Sequence, residues 1–164
     1  MAAGLERISV VWDKCSHTSE PNDQFREKHM PTNAVRIKTD PDFYEPFKIA
    51  QAYRVGDLIF VSGQAAVDEQ GNIVGVGDFD AQAKQSFENL SRLLELGGSD
   101  LSKIVKVVIY VTDMSNFPKI LELRERYFTP PYPADTIVEV SALGLPELEF
   151  EIEAIALADG EMVG

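Results

Sequence analysis

The segment from Asp80 to Leu96 constrains the fold of this chain most, because its apolar residues recur every three or four positions. That spacing gathers them on one face of a helix. Asp78 or Asp80 can cap the first turn, and Gly97 follows the last residue of the pattern. Because such a helix must bury its apolar face against another element, the segments around it decide the fold class.

Alternating and β-branched segments on both sides of this helix predict strands. AVRIK alternates, and IAQAYRV and DLIFVSGQ flank a Gly56-Asp57 turn, which predicts a hairpin. IVKVVIYVT, from Ile104 to Thr112, is β-branched enough for a well-buried strand. TIVEVSAL and LEFEIEAIALA predict two final strands joined by a turn at Gly144 to Pro146.

A second helix is predicted from about Asn116 to Phe128, with Ser115 or Asn116 as its cap and Pro118 in its first turn. The order is then a β hairpin, a helix, a strand, a helix and two strands. We therefore expect an α+β fold of two layers, in which both helices pack on one face of a single mixed sheet.

The last predicted strand has two different faces. Its core-facing residues are all apolar, whereas its other face mixes acids with an aliphatic residue. Such a mixture is unusual for a surface that meets only solvent, and a neighbouring subunit that partly covers it would explain it. The apolar set is Phe150, Ile152, Ala154 and Ala156, and the mixed set is Glu149, Glu151, Glu153 and Ile155.

Residues 1–30 differ in composition from residues 31–164, which form the expected folded domain. The first part holds both histidines, His17 and His29, together with Cys15 and Trp12, and much of it is polar. We expect a flexible N-terminal appendage there. The short apolar segment from Ile8 to Trp12 could add an edge strand or be buried at an interface.

Composition excludes several classes of protein. A length of 164 residues suits one domain, and the net charge of −12 disfavours binding to nucleic acid, which needs clustered cations. No apolar run is long enough to span a membrane, and the first residues lack the pattern of a secretory signal, so we expect a cytoplasmic protein. The single cysteine supports neither an internal disulfide nor a zinc site.

The domain contains no histidine and no cysteine, which excludes Ser-His and Cys-His catalysis and imidazole or thiolate metal ligands there. Glu151 is the leading candidate for chemistry, because partial burial would raise its pKa and suit it to activating water. An outward-facing acid on a sheet is the alternative. At Ser62 and Gly63 the backbone could approach a ligand, although a bulge or turn also explains them. A capping role explains Asp135 adequately.

Four segments in unbroken order carry a resemblance to a known family: RVGDLIFVSGQ, NLSRLLELGGSDLSKIVKVVIYVTDM, PADTIVEVSAL and EFEIEAIALA. Together they resemble the Rid superfamily, also called the YjgF-type or endoribonuclease L-PSP family, from about Gln51 to Ala158. The resemblance implies a chorismate-mutase-like fold and a homotrimer with ligand clefts between neighbouring subunits. It also implies hydrolysis of reactive enamines or imines, released by pyridoxal-phosphate enzymes, to a keto acid and ammonia, with no metal or cofactor.

Several site positions depart from the family pattern. The family motif Pro-Ala-Arg-Ser/Thr has an arginine that pairs with the substrate carboxylate, and this chain has Asp135 there. Ser62, Gly63 and the water-activating Glu151 are kept. The other substrate-binding positions implied by the resemblance are Ile49 in place of tyrosine, Leu121 in place of asparagine, and Ile137 in place of a small residue or cysteine.

Three functions are compatible with the sequence. The first is an imine or enamine hydrolase for a small molecule other than the usual 2-imino acid, because an aspartate would repel a carboxylate. Arg124 or Arg126 is the candidate for a replacement cation. The second is a non-catalytic trimer that binds a metabolite. The third is a ribonuclease, which the acidic charge and the missing histidine disfavour.

Overall fold

The structure is a computed structural model that describes residues 32–164. The predictions of an N-terminal appendage and of an edge strand at Ile8 to Trp12 lie outside the described residues. The regular elements are β1 (Ala34–Ile37), β2 (Ala52–Val55), β3 (Leu58–Ala65), α1 (Phe79–Leu96), β4 (Ile104–Val111), α2 (Phe117–Tyr127), β5 (Ala134–Glu139) and β6 (Phe150–Leu157).

The strands form one mixed sheet in the order β1-β2-β3-β6-β4-β5. The predicted hairpin is present, since β2 pairs antiparallel with β3 around Gly56, which has a φ of 59°. Strand β6 pairs antiparallel with both β3 and β4, and β5 pairs parallel with β4. Although β5 and β6 follow each other in the chain, β4 therefore lies between them.

Helix α1 begins where the sequence predicts. The Asp78 side chain accepts a hydrogen bond from the Ala81 N–H and caps the first turn. The apolar face packs on β3 and β6, and its buried residues include Phe87, Leu90 and Leu94. Burial of this face is the main contribution of α1 to the core.

Helix α2 follows a short 3₁₀ turn at Met114–Asn116, whose first turn is capped by Asp113. Ile120 and Leu123 are its buried residues. At its end the Tyr127 ring stacks on Phe87 of α1, with ring centroids 4.0 Å apart. The two helices thus join the same core on one face of the sheet, and the predicted two-layer α+β fold is confirmed.

We call the sheet face under the helices the covered face and the opposite one the open face. On β6 the predicted alternation is present: Phe150, Ile152, Ala154 and Ala156 are buried. The residues between them are only half-buried, and the Phe60 side chain on β3, opposite Ile155, is 42% exposed. Apolar side chains therefore reach the surface on the open face.

Candidate functional site

The site begins at an irregularity in β3. The pairing register between β3 and β6 shifts between Val61 and Gln64, which places Ser62 and Gly63 in a bulge. The Ser62 hydroxyl donates a hydrogen bond of 2.7 Å to the Ala50 carbonyl, and the Ser62 N–H bonds to the Gln51 carbonyl. The bulge is therefore fixed to the chain that leads into β2.

Glu151 lies directly on the bulge. A Cβ atom added at Gly63 would overlap Glu151 Oε1 and would lie 2.7 Å from Glu151 Cδ. Only glycine leaves room for this carboxyl group. Burial raises the pKa of Glu151, and the negative charge of Glu153 raises it further.

Tyr44 is the third member of the cluster, and no sequence pattern predicts its role. Its hydroxyl donates a hydrogen bond of 2.6 Å to the Gly63 carbonyl. Burial, followed by the charge of Glu151, raises the pKa of Tyr44 to about 12. A backbone hydrogen bond from Ala65 has a smaller effect in the opposite direction. The phenol is therefore neutral at physiological pH. The role of Tyr44 becomes visible only in the folded chain, where the segment before β2 contacts β3.

Two further side chains surround the Glu151 carboxyl group. Tyr110 on β4 is the residue directly opposite Glu151 in the sheet. Burial raises the pKa of Tyr110, followed by the charge of Glu153, a hydrogen bond with Glu153 and the charge of Glu151. The open face therefore places one phenol and a second carboxyl group beside Glu151, while Tyr44 reaches Gly63 from the segment before β2.

Asp135, the predicted anomaly, has a partner. Its carboxylate forms a bidentate ion pair with Arg124 of α2, at 2.9 Å to Nε and 2.8 Å to Nη2. Both side chains are less than a third exposed. The pair lies in an open cleft whose other lining residues are Phe128, Tyr132, Pro133 and Ile137. The charged groups of this cleft neutralise each other.

The ion pair and Glu151 lie on opposite faces of the sheet. Asp135 alternates along β5 with exposed neighbours and meets Arg124 of α2, so it points to the covered face. Glu151 lies between the buried Phe150 and Ile152, so it points to the open face. Strand β4 also lies between β5 and β6, so these two strands are about 10 Å apart. One chain therefore does not bring Asp135 and Glu151 into one cleft.

The remaining predicted positions lie on the surface. Ile49 is 49% exposed and lines a depression with Arg36, Lys48 and Tyr53. Leu121 is 46% exposed on α2. Ile137 shares the cleft of the ion pair. Of the predicted set, the structure thus brings together Ser62, Gly63 and Glu151 in one place and Asp135 and Ile137 in another.

Residues 32–164 contain neither a metal-binding cluster nor a membrane-spanning helix. No three or more acidic, histidine or cysteine side chains there are arranged so that they could hold a metal ion. None of the helices in that range is both long enough and apolar enough to cross a membrane.

The fold and the glycine-carboxylate cluster define a class of small α+β proteins with two helices on one face of a mixed sheet. The model of the family described as endoribonuclease L-PSP matches residues 41–158. The chain belongs to this family, the Rid or YjgF-type superfamily, and the resemblance read from the sequence is confirmed.

Relatives cover most of the domain. A RutC family protein of Pyrococcus abyssi is 40% identical over 107 residues, which are 65% of this chain and 84% of the relative. A protein of Dermatophagoides farinae named 2-iminobutanoate/2-iminopropanoate deaminase is 31% identical over 129 residues, 79% of this chain and 98% of the relative.

Solved structures share the fold. Yeast Mmf1 superposes with a TM-score of 0.68 at 27% identity, covering 77% of this chain and 100% of the yeast chain. RidA of an Antarctic Psychrobacter gives a TM-score of 0.62 at 35% identity, covering 66% of this chain and 87% of that chain. The YjgF-type fold expected from the sequence is therefore confirmed.

Proposed function

We propose that this protein hydrolyses a reactive imine, or the enamine that tautomerises to it, with Glu151 as the general base. The observation that carries the proposal is the Glu151 carboxyl group packed on Gly63, partly buried and with a raised pKa. Such a group holds a proton more readily than an exposed carboxylate, which suits it to accept a proton from water and return it to the substrate. The similarity to a named iminobutanoate deaminase supports the same chemistry.

The proposed reaction needs only water and this carboxylate. Ionised Glu151 accepts a proton from a water molecule while the water oxygen bonds to the imine carbon. Glu151 returns this proton to the nitrogen, which gives a carbinolamine. It then takes the proton of the new hydroxyl group and delivers it to the amino nitrogen, so that the carbon–oxygen double bond forms as the carbon–nitrogen bond breaks, and a carbonyl compound and ammonia leave. The Ser62-Gly63 bulge supplies backbone polar groups that can orient the substrate beside the base.

The Arg124–Asp135 pair supports a substrate without a carboxylate. In the sequence motif that carries an arginine in deaminating relatives, this chain has an aspartate, and Arg124 is held by it through two hydrogen bonds. An arginine that is already paired attracts a second carboxylate weakly, since the net charge of the pair is zero. The aromatic and aliphatic lining of the cleft favours an uncharged, apolar imine.

The site is proposed to be completed by a second copy of the chain, in a homotrimer. Asp135 and Glu151 face opposite sides of the sheet in one chain, so they can share a ligand only if they come from different copies. The open face also exposes large apolar side chains that association would bury. These are Tyr53, Leu58, Phe60 and Val138.

The general base is tested with Glu151→Gln and with Glu88→Gln, an exposed control on α1. Imines without a carboxylate are generated in situ by an amine oxidase, and 2-imino acids by an amino-acid oxidase. We expect Glu151→Gln to lower the rate of imine loss by about 100-fold or more, the scale for general base catalysis, and Glu88→Gln to match the wild type. Equal rates for Glu151→Gln and wild type would refute the base. A wild type without activity that is stabilised by an unchanged metabolite would favour the binding protein instead.

The substrate class is tested by removing the negative charge that holds Arg124. We expect Asp135→Asn to raise the rate on 2-imino acids relative to uncharged imines by about 10-fold, because one freed charge-assisted contact is worth on the order of 1.4 kcal/mol. Asp159→Asn is the matched control, since Asp159 pairs with Arg54 at another surface. A preference for 2-imino acids already present in the wild type would contradict the assignment.

A further inference from the structure

The Tyr44 ring is held firmly before β2. The Tyr44 N–H donates to Asp42 Oδ1 at 3.1 Å, and Asp42 is paired with Arg36 of β1 at 2.7 Å. The Tyr44 carbonyl accepts hydrogen bonds from the N–H groups of Phe47 and Ile49, at 3.0 and 3.3 Å. The segment that carries the phenol is thus tied to the edge of the sheet.

Tyr44 and Glu151 meet the same residue. The Tyr44 hydroxyl contacts the carbonyl oxygen of Gly63, whereas the Glu151 carboxyl group lies on the side where a Cβ would be. Gln64 Nε2 also approaches the Gly63 carbonyl, at 3.2 Å, but it lies closer to the Ser62 carbonyl, at 2.8 Å. The phenol is therefore the shorter of the two side-chain contacts to the Gly63 oxygen.

The Gly63 carbonyl group affects how readily the neighbouring Glu151 carboxyl group ionises. The oxygen of a buried peptide carries partial negative charge, and without a donor it is costly to bury. A carboxylate close to an unpaired carbonyl is disfavoured for the same electrostatic reason that applies to neighbouring carboxylates. The Tyr44 hydroxyl lowers both costs, because it gives the Gly63 oxygen a closer donor than Gln64 provides.

We propose that Tyr44 is a positioning residue of the site, whose hydroxyl holds the Gly63 carbonyl and, through it, the bulge on which the Glu151 carboxylate lies. The role in the reaction rests on the proposed function of Glu151 as the base. The contact itself and its effect on Glu151 are independent of any activity.

Three other titratable groups face Glu151 and influence its pH dependence. They are Tyr44 from the segment before β2, Tyr110 from β4 and Glu153 on β6. Glu153 raises the pKa of Glu151, and both phenols are neutral around pH 7. A change made at Tyr44 alone leaves Tyr110 and Glu153 in place.

The experiment compares wild type with Tyr44→Phe, which keeps the ring and removes the hydroxyl. We expect the pKa of Glu151, measured by NMR titration of its side-chain carboxyl carbon, to rise by about 0.5 to 1 unit, the size of a hydrogen-bond effect. Ionised Glu151 is the active form, so activity is lost as pH falls through its pKa. The acid limb of the pH profile of kcat/KM should shift to higher pH by the same amount. At a pH below the pKa of Glu151, kcat/KM should therefore be lower than in the wild type by about 3- to 10-fold.

Tyr127→Phe is the matched control, since it removes a hydroxyl from a ring stacked on Phe87 at the covered face. We expect it to change neither the pKa of Glu151 nor the acid limb. A folded Tyr44→Phe variant with the wild-type pKa of Glu151 would overturn the proposal. If Glu151→Gln keeps full activity, the general base is wrong, and the NMR titration of Tyr44→Phe still decides the role of Tyr44.

Discussion

Gly63 is fixed by one neighbour rather than by its own backbone conformation. Its φ is not among the positive values in the described chain, so an alanine could adopt the backbone geometry. The space is the constraint, because the position of a Cβ is taken by the Glu151 carboxyl group. At this position, the choice of residue therefore reports on the site and not on the fold.

Gly63→Ala should separate activity from stability. The added methyl group must displace the Glu151 carboxyl group, which is the end of a flexible side chain and can rotate away. We expect the midpoint of thermal unfolding to change little and the rate of imine hydrolysis to fall about 100-fold, as for a reacting group misplaced by about 1 Å.

The control for this substitution is Gly144→Ala, where an added Cβ meets no atom within 4 Å. Both variants are compared by calorimetry and by the imine assay described for Glu151. Wild-type activity in Gly63→Ala would show that the position of Glu151 on the bulge is not needed for the reaction.

Asp135 shows what a sequence can and cannot reveal about a single residue. The motif position identified it as a reversal of charge, but its partner Arg124 comes from a helix that precedes β5, and nothing in the local pattern joins the two. Tyr44 was missed for a related reason. Its target, Gly63, is 19 positions away in the chain, and the contact exists only after β3 has formed.

At the scale of elements, periodicity predicted most of the fold. The apolar spacing in α1 and the alternation in β6 each follow from a face that is buried in the core. The sheet order did not follow, because β6 enters between β3 and β4. That choice depends on which strand edges meet during packing, and edges carry no local sequence signal.

The cap of α1 gives a prediction at this scale. Asp78→Ala removes the acceptor for the Ala81 N–H and should lower the free energy of unfolding by about 1 kcal/mol, measured by urea denaturation. Asp78→Ser keeps a capping oxygen and should recover most of the loss. A full loss in the serine variant would show that the charge of Asp78, and not its hydrogen bond, stabilises the helix.

For the whole molecule, the open face is the surface that would connect the proposed trimer with the proposed function. The exposed Phe60 shares a depression with Glu153, whose charge acts on Glu151, so an associating copy would cover apolar surface and enclose these carboxyl groups together. Exclusion of water from Glu151 beyond what one chain achieves would raise its pKa further. In the proposed trimer, association and the general base would therefore be coupled.

Phe60→Glu tests that coupling. Burying an unpaired carboxylate in an interface costs several kcal/mol, so the variant should have a lower mass in light scattering than the wild type, for which we expect three chains. Val76→Glu, which places the same charge on an exposed residue in the loop before α1, should keep the wild-type mass. We expect Phe60→Glu also to lose imine hydrolysis, since Asp135 and Glu151 can act on one ligand only across copies. A monomeric Phe60→Glu variant with full activity would place the whole reaction within one chain and leave Asp135 without a part in it.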